Sequence, residues 1–383
     1  MRAPLPALAA AALLLLAAPA GAADPIACPA VGTWIEPGKA KKLKIDDVID
    51  EAAGRRIVLL GEQHATVEHQ RWELQTIAAI HGRRPDLVLG FEMFPRRAQP
   101  VLDRWVKGEL DERAFLLAVE WDRVWGYDPA YYMPLFHFAR ANRIRMVALN
   151  VDRAVVGRVG RDGIAGVPRD QREGVGDPAP PSAAYLDRLA EAYRQHRDDP
   201  AAKRPAPGDP AFLRFVDAQL LWDRAMAEAL DAAARADKGR PVVGVMGMGH
   251  LEGRDGVPAQ LAALGRKDAY VLLAWTLKDG CAPPAKGLAD AAFAVAPSPA
   301  AQTVQLGVRM EPHAEGARIA FVAADSVAAA AGIVVGDVVI AAAGEAITGP
   351  GALGQVLRRM MPGVWLPLVV RRDGRMLDLV ARF

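Results

Sequence analysis

Ile57-Val58-Leu59-Leu60-Gly61-Glu62-Gln63-His64 is the stretch on which the reading of the chain turns. A short apolar run of strand-forming residues ends in a glycine, a carboxylate, an amide and an imidazole. Working outward, the same figure returns. Leu87–Phe91 delivers Glu92, Arg145–Leu149 ends at Asn150, Val242–Met246 runs into Gly247-Met248-Gly249-His250, and Tyr270–Ala274 is a fifth apolar run. Amphipathic stretches lie between them, at Glu68–His81, Pro129–Arg143 and Pro210–Ala236. This alternation predicts βα units, and so an α/β domain with a largely parallel central sheet flanked by helices.

In open sheets of this kind, ligands bind beyond the carboxyl ends of the strands. Glu62, His64, Glu92, Asn150 and His250 are therefore expected to converge on one rim. Gly61, Gly247 and Gly249 permit unusual backbone geometry and close approach of a ligand or metal before a histidine is presented. Only seven histidines occur, and two of them stand at strand ends.

Two segments break the alternation. Residues 162–210 are rich in Gly, Pro, Asp and Arg, with one convincing helix at Ser182–His196, and read as a partly helical lid. Lys278–Gln302 carries Pro283, Pro284, Pro297 and Pro299 among Ala and Gly. It reads as a linker, placed at 281–302, that closes a domain spanning 24–280. Residues 1–23 look like a secretory signal: Arg2, then the apolar run Leu8–Ala17, then small residues at Ala20, Ala22 and Ala23. That run is too short to span a bilayer, so the mature chain is expected in the periplasm or cell envelope. An oxidising compartment would let Cys28 and Cys281, the two cysteines, form a bridge tying the start of the domain to its end.

Composition removes several classes. At 383 residues, 52% hydrophobic and 24% charged, the chain is globular and long enough for a core and more than one domain. A net charge of +2 gives no support for a nucleic-acid partner. The Gly247–Gly253 stretch misses the dinucleotide-binding spacing by one residue. His64 and His69 are five apart, which does not put both on one helical face as a zinc-protease helix needs. There is no GxSxG elbow, phosphate-binding loop or CxxC pair.

Residues 303–383 have another texture, with short β-rich runs at Gln305–Met310, Arg318–Val322, Val338–Ala342 and Leu366–Arg371. Ala328 to Ile340, with Gly332, Gly336 and Asp337, then Gly344 and Pro362-Gly363, closely resemble a bacterial PDZ domain. The resemblance implies a carboxylate-binding loop at Leu306, Gly307 and Val308. It also implies a groove between the following strand and a helix at Gly351–Met361, taking the C-terminal peptide of an envelope protein.

The first domain carries a resemblance of its own. Gly61-Glu62-Gln63-His64, Phe91-Glu92-Met93-Phe94, Trp121-Asp122, Trp125-Gly126-Tyr127, Ala148-Leu149-Asn150, Ala218 to Met226 and Gly247-Met248-Gly249-His250, in this order, resemble the ChaN-like haem-binding family. That family is grouped with the Tiki, TraB and erythromycin-esterase proteins. The resemblance implies haem binding linked to iron uptake, with tyrosine and histidine near the iron, and leaves a homodimer open. The expected haem contacts are Tyr127, Tyr131, Tyr132, Asn150, Arg153 and His250, with Arg96, Arg97 or Arg153 meeting propionates. For the wider superfamily it implies instead a metal-dependent hydrolase. Glu62, His64, Glu92 and His250 would then be catalytic, with a divalent metal ion held by His64, Glu92 and His250.

Overall fold

A computed structural model describes residues 28–39, 41–195, 203–206, 208–277, 282–298 and 304–383. Its first sheet has eight strands: β1 (Trp34–Glu36), β2 (Lys41–Leu43), β3 (Ile57–Glu62), β4 (Val88–Pro95), β5 (Met146–Asn150), β6 (Val242–Gly247), β7 (Tyr270–Thr276) and β8 (Ala291–Val295). Their order is β2-β1-β8-β7-β3-β6-β4-β5. From β8 to β5 every pairing is parallel. All five expected runs are among these strands, and β3, β4 and β6 run further than expected, so Glu62 and Glu92 lie inside strands.

The 281–302 stretch differs from expectation. It contains β8, which pairs parallel to β7 and antiparallel to β1, with Trp34 opposite Phe293 and their rings 5.1 Å apart. Ala291-Ala292-Phe293-Ala294-Val295, set among prolines, has too little side-chain bulk to stand out as a strand. Its partners supply the burial that its own sequence does not announce.

Side chains alternate across a strand, and this alternation assigns the residues of β3 to two layers. Val58 and Leu60 join the core beneath the helix Val67–Arg83, with Trp72, Ile77, Phe91, Phe94 and Phe136. Ile57 and Leu59 join the opposite core, beneath the helix Pro210–Ala236, with Met226, Leu230 and Met246. That long helix starts where Asp209 accepts the N–H of Ala211, with Pro210 as its first residue. The insertion is docked rather than detached. Its helix Ala183–Gln195 packs Tyr185 and Leu189 against Phe212, Val216 and Leu220 of the long helix. His196 lies outside the described residues.

A second sheet holds β9 (Val308–His313), β10 (Gly316–Val322), β11 (Val338–Ala342), β12 (Glu345–Ala346), β13 (Trp365–Arg372) and β14 (Arg375–Arg382). It is antiparallel throughout, in the order β14-β13-β11-β10-β9, with β12 paired to β11. Buried Asp337 pairs with Arg372 and caps the turn at Val334. No helix among the described residues is long and apolar enough to cross a membrane. Cys28 is disulfide-bonded, and Cys281 lies outside the described residues, as do residues 1–27.

Candidate functional site

The strand alternation sends Glu62 to the face of Val58 and Leu60, under the helix Val67–Arg83. There Gln70 Nε2 donates to Glu62, whose other oxygen meets His64 Nδ1. Glu73, one turn beyond Gln70, is fully buried beside them, and neither of its oxygens has a hydrogen-bond partner. Burial, reinforced by the charges of Glu62 and Glu92, pushes the Glu73 carboxyl well above the usual carboxyl range, which favours its protonated form.

Glu92 takes the opposite face, where β4 alternates past Val88. His250, on the turn Met248–His250 after β6, returns its Nε2 to 3.5 Å from Glu92 Oε1. Its Nδ1 stands 2.6 Å from Asp223 Oδ1 on the long helix, and the Tyr185 hydroxyl donates to Asp223 Oδ2 at 2.6 Å. Burial alone would disfavour the imidazolium, but the charge of Glu92 and the bond to Asp223 outweigh it and hold His250 well above its usual range. Burial likewise works against the Glu92 carboxylate, yet His250, His64 and the Gly247 N–H hold its pKa below the usual range. Glu92 and His250 therefore form a buried ion pair. Burial pushes Asp223 up against the pull of His250.

The two half-sites meet over Gly247. Parallel register sets Glu62 alongside Gly247, whose N–H donates to Glu92 Oε2 at 2.7 Å. A Cβ at position 247 would lie 2.8 Å from the His64 ring. The glycines thus serve a different end than expected. Gly247 has ordinary dihedrals, φ −59° and ψ 136°, and makes room for His64. Gly61 makes room for Leu273, whose side chain would come within 2.3 Å of a Cβ there. Neither glycine is required by its backbone conformation.

On the rim, the His64 ring lies 4.7 Å from Trp125 and 5.5 Å from Tyr127, which is 40% exposed. Trp222 lies 5.3 Å from His250. Trp125 and Trp222 flank a cleft of about 50 Å³ that is also lined by Asn150 and Arg153.

The remaining expected residues separate into two groups. Tyr132 belongs to the core: it is fully buried and its hydroxyl accepts the Ala65 N–H at 3.2 Å, so it cannot present oxygen to a ligand. Tyr131 packs partly buried against the same core. Asn150 donates to the Glu92 carbonyl and accepts from Val151, which holds the strand end together. His250 is walled in by Glu92, Asp223 and Trp222 and does not stand on the rim. Arg96 is spent on the carbonyls of Glu173 and Ala225, and Arg97 on Glu120 and Asp152. Arg153 is exposed, and among the described residues its side chain has no ion pair and makes one hydrogen bond, a 3.4 Å contact to the Trp125 carbonyl.

The expected metal triad does not fit. His250 commits Nδ1 to Asp223 and His64 commits its Nδ1 to Glu62, while Glu92 Oε2 is held by the Gly247 N–H. Among the described residues no group of three His, Cys, Asp or Glu is placed to hold a metal ion. Gln70, Glu73, Tyr185 and Asp223 were not anticipated. Asp223 lay inside the quoted Ala218–Met226 motif, where a polar residue on a buried helix face was the available signal.

Residues 48–261 match the family described as haem-binding uptake, Tiki superfamily, ChaN, over more than half of the chain. The chain belongs to the ChaN family. Residues 304–381 match the PDZ domain model, so a PDZ domain follows the ChaN domain. Among solved structures, the ChaN fold is shared with ChaN of Campylobacter jejuni, a structure described as showing cofacial haem binding. The TM-score is 0.53 at 18% identity, over 68% of this chain and 95% of that one. The HtrA-type protease AlgW with a decapeptide matches over 20% of this chain and 28% of its own, at 24% identity and a TM-score of 0.20. The HtrA3 PDZ domain bound to a phage-derived ligand matches over 20% and 82%, at 23% identity and a TM-score of 0.19. No curated protein matches the chain.

Proposed function

We propose that this ChaN-family chain binds haem on the rim above Gly247, where Tyr127 would hold the iron with His64 beside it. The observation that carries this reading is the pairing of an exposed phenol with an imidazole whose ring lies 5.5 Å away and is itself anchored by Glu62. A ferric haem supplies a Lewis-acidic iron that a phenolate satisfies. His64 is the nearby base able to take the phenol proton: burial opposes its charge, but Glu62 and Glu92 raise its pKa above the ordinary value. Trp125 gives an apolar wall, and Arg153, free of carboxylates, can meet a propionate.

The cleft of about 50 Å³ that Trp125 and Arg153 line beside this rim is too small to enclose a porphyrin, so a haem held by these residues would keep part of its surface exposed. A second copy of this chain, carrying its own haem, would cover it; the cofacial arrangement described for the C. jejuni protein supports this reading. The leader-like residues 1–23 and the disulfide at Cys28 support export to the periplasm, where such a protein would serve haem or iron uptake. The PDZ domain would bring a peptide partner to the envelope, through the groove beside β9.

Titrating the purified chain with haemin tests the reading. A saturable Soret band that is lost in Tyr127→Phe, weakened in His64→Ala and unchanged in Tyr131→Phe is expected, with a doubling of mass on loading. An undiminished band in Tyr127→Phe would assign the iron elsewhere.

A further inference from the structure

β9 is an edge of the PDZ sheet, paired only to β10 among the described residues. Beside it lies a groove of about 440 Å³ between Leu306-Gly307-Val308 and the helix Pro350–Arg358. Its lining includes two cations, Arg309 and Arg358, and no carboxylate. Neither guanidinium has an ion pair among the described residues. The neighbouring residue on the same face as Arg309, Glu311, is placed opposite Arg318 by the β9–β10 register, whereas Arg309 stands opposite Phe321. Its guanidinium lies 5.4 Å from the Phe321 ring centroid, which orients the charge without neutralising it.

We propose that this groove selects C-terminal peptides carrying an acidic side chain at the second- or fourth-from-last position, recognised by Arg309. The inference rests on the peptide-binding reading of the PDZ domain and adds the chemistry of its ligand. A peptide that joins β9 as a further strand alternates its side chains between two faces. The face of Val308 and Met310, which pack on the core with Leu306 and Leu357, takes the last and third-from-last residues, so the last side chain is apolar. The positions between them fall on the face of Arg309 and Phe321. A carboxylate there gains a charge-assisted bond to a guanidinium already held in place. Lysine at the same position meets the like charge of Arg309. Phe321, 48% exposed, offers its ring to the carbon stem of the acidic residue.

The test uses the full chain and fluorescein-labelled decapeptides ending in valine, read by anisotropy, with Glu or Lys at the second- and fourth-from-last positions and each also made as the C-terminal amide. Glu peptides are expected to bind about fivefold tighter than Lys peptides at low salt, as for a partly exposed pair. The discrimination vanishes in Arg309→Gln and reverses in Arg309→Glu. Because Arg309 is exposed, both variants are expected to keep the wild-type melting temperature, and the Gln variant alone decides the matter if the charge reversal unfolds. Equal binding of Glu and Lys peptides, with amidation still abolishing it, overturns the acidic preference and leaves the carboxylate-binding groove standing. Binding indifferent to amidation overturns both.

Discussion

His250 Nδ1 lies 2.6 Å from the buried Asp223 carboxylate, 27 residues earlier in the chain. Through that contact the long helix helps to set the charge of a residue at the end of β6, and Tyr185 ties the insertion to the same carboxylate. A folded-state pKa raised from 6.5 to about 10 means that His250 contributes stability in full below its unfolded value. That contribution is lost as pH rises through the folded value. NMR of the imidazole is expected to show His250 protonated across pH 6–8 in the wild type. Asp223→Ala should lower its pKa and destabilise the fold by about 3 kcal/mol in urea, because the charge left behind is buried. Tyr185→Phe should move the same resonance in the opposite direction to Asp223→Ala, since it strips a competing donor from Asp223.

Glu73 gives a pH dependence of the same sign from a different cause. Its folded pKa is raised well above 4.5, so the native state holds a proton that the unfolded chain releases, and stability falls as pH rises above 4.5. Each pH unit up to the folded pKa removes about 1.4 kcal/mol. Glu73→Gln abolishes this slope, and the urea midpoint of the variant should gain on that of the wild type as pH rises above 4.5.

His69 acts in the opposite sense. Burial pushes its pKa down to about 4, and its Nδ1 accepts the Gln63 N–H while Nε2 bonds to Thr276. The unfolded chain therefore binds a proton first on acidification. Stability is expected to drop between pH 6.5 and 4, by on the order of 3 kcal/mol. His69→Gln should lose this acid-side fall. A melting curve at pH 7 and at pH 4.5 for both proteins measures the difference.

Gly247→Ala leaves the backbone unstrained, since its φ is −59°, but puts a methyl group 2.8 Å from the His64 ring. The ring must turn away from Glu62. The expected result is a folded protein with a displaced His64 resonance and haemin affinity weaker by about tenfold, or about 1.4 kcal/mol. Unchanged affinity with a displaced His64 would separate that imidazole from ligand binding.

Much of this was legible before any coordinates. The runs at β3, β4, β5, β6 and β7 are apolar on both faces and leave little choice but a covered parallel sheet. Glu62 closes β3, Glu92 is the one polar residue within β4, and His64 and His250 follow β3 and β6, so these side chains stand out against apolar strands. What could not be read was which face each side chain takes past the strand end, and so that Glu62 and Glu92 belong to separate relays joined at Gly247. Tyr132 and Tyr127 look alike in sequence; one is core and the other rim, because the turn after Trp125 exposes only the second. β8 escaped notice since alanines owe their strand conformation to neighbours rather than to themselves.

The pairing of Trp34 with Phe293 has a bearing on how the protein is made. Synthesis delivers β1 first, yet its partner β8 comes after every other strand of that sheet. During translation the side of β1 that faces β8 must wait, bonded only to water, until some 250 further residues have emerged. A holding factor that shields the nascent N-terminal segment, or a slow last step in refolding reported by Trp34 fluorescence, is where that delay would become visible.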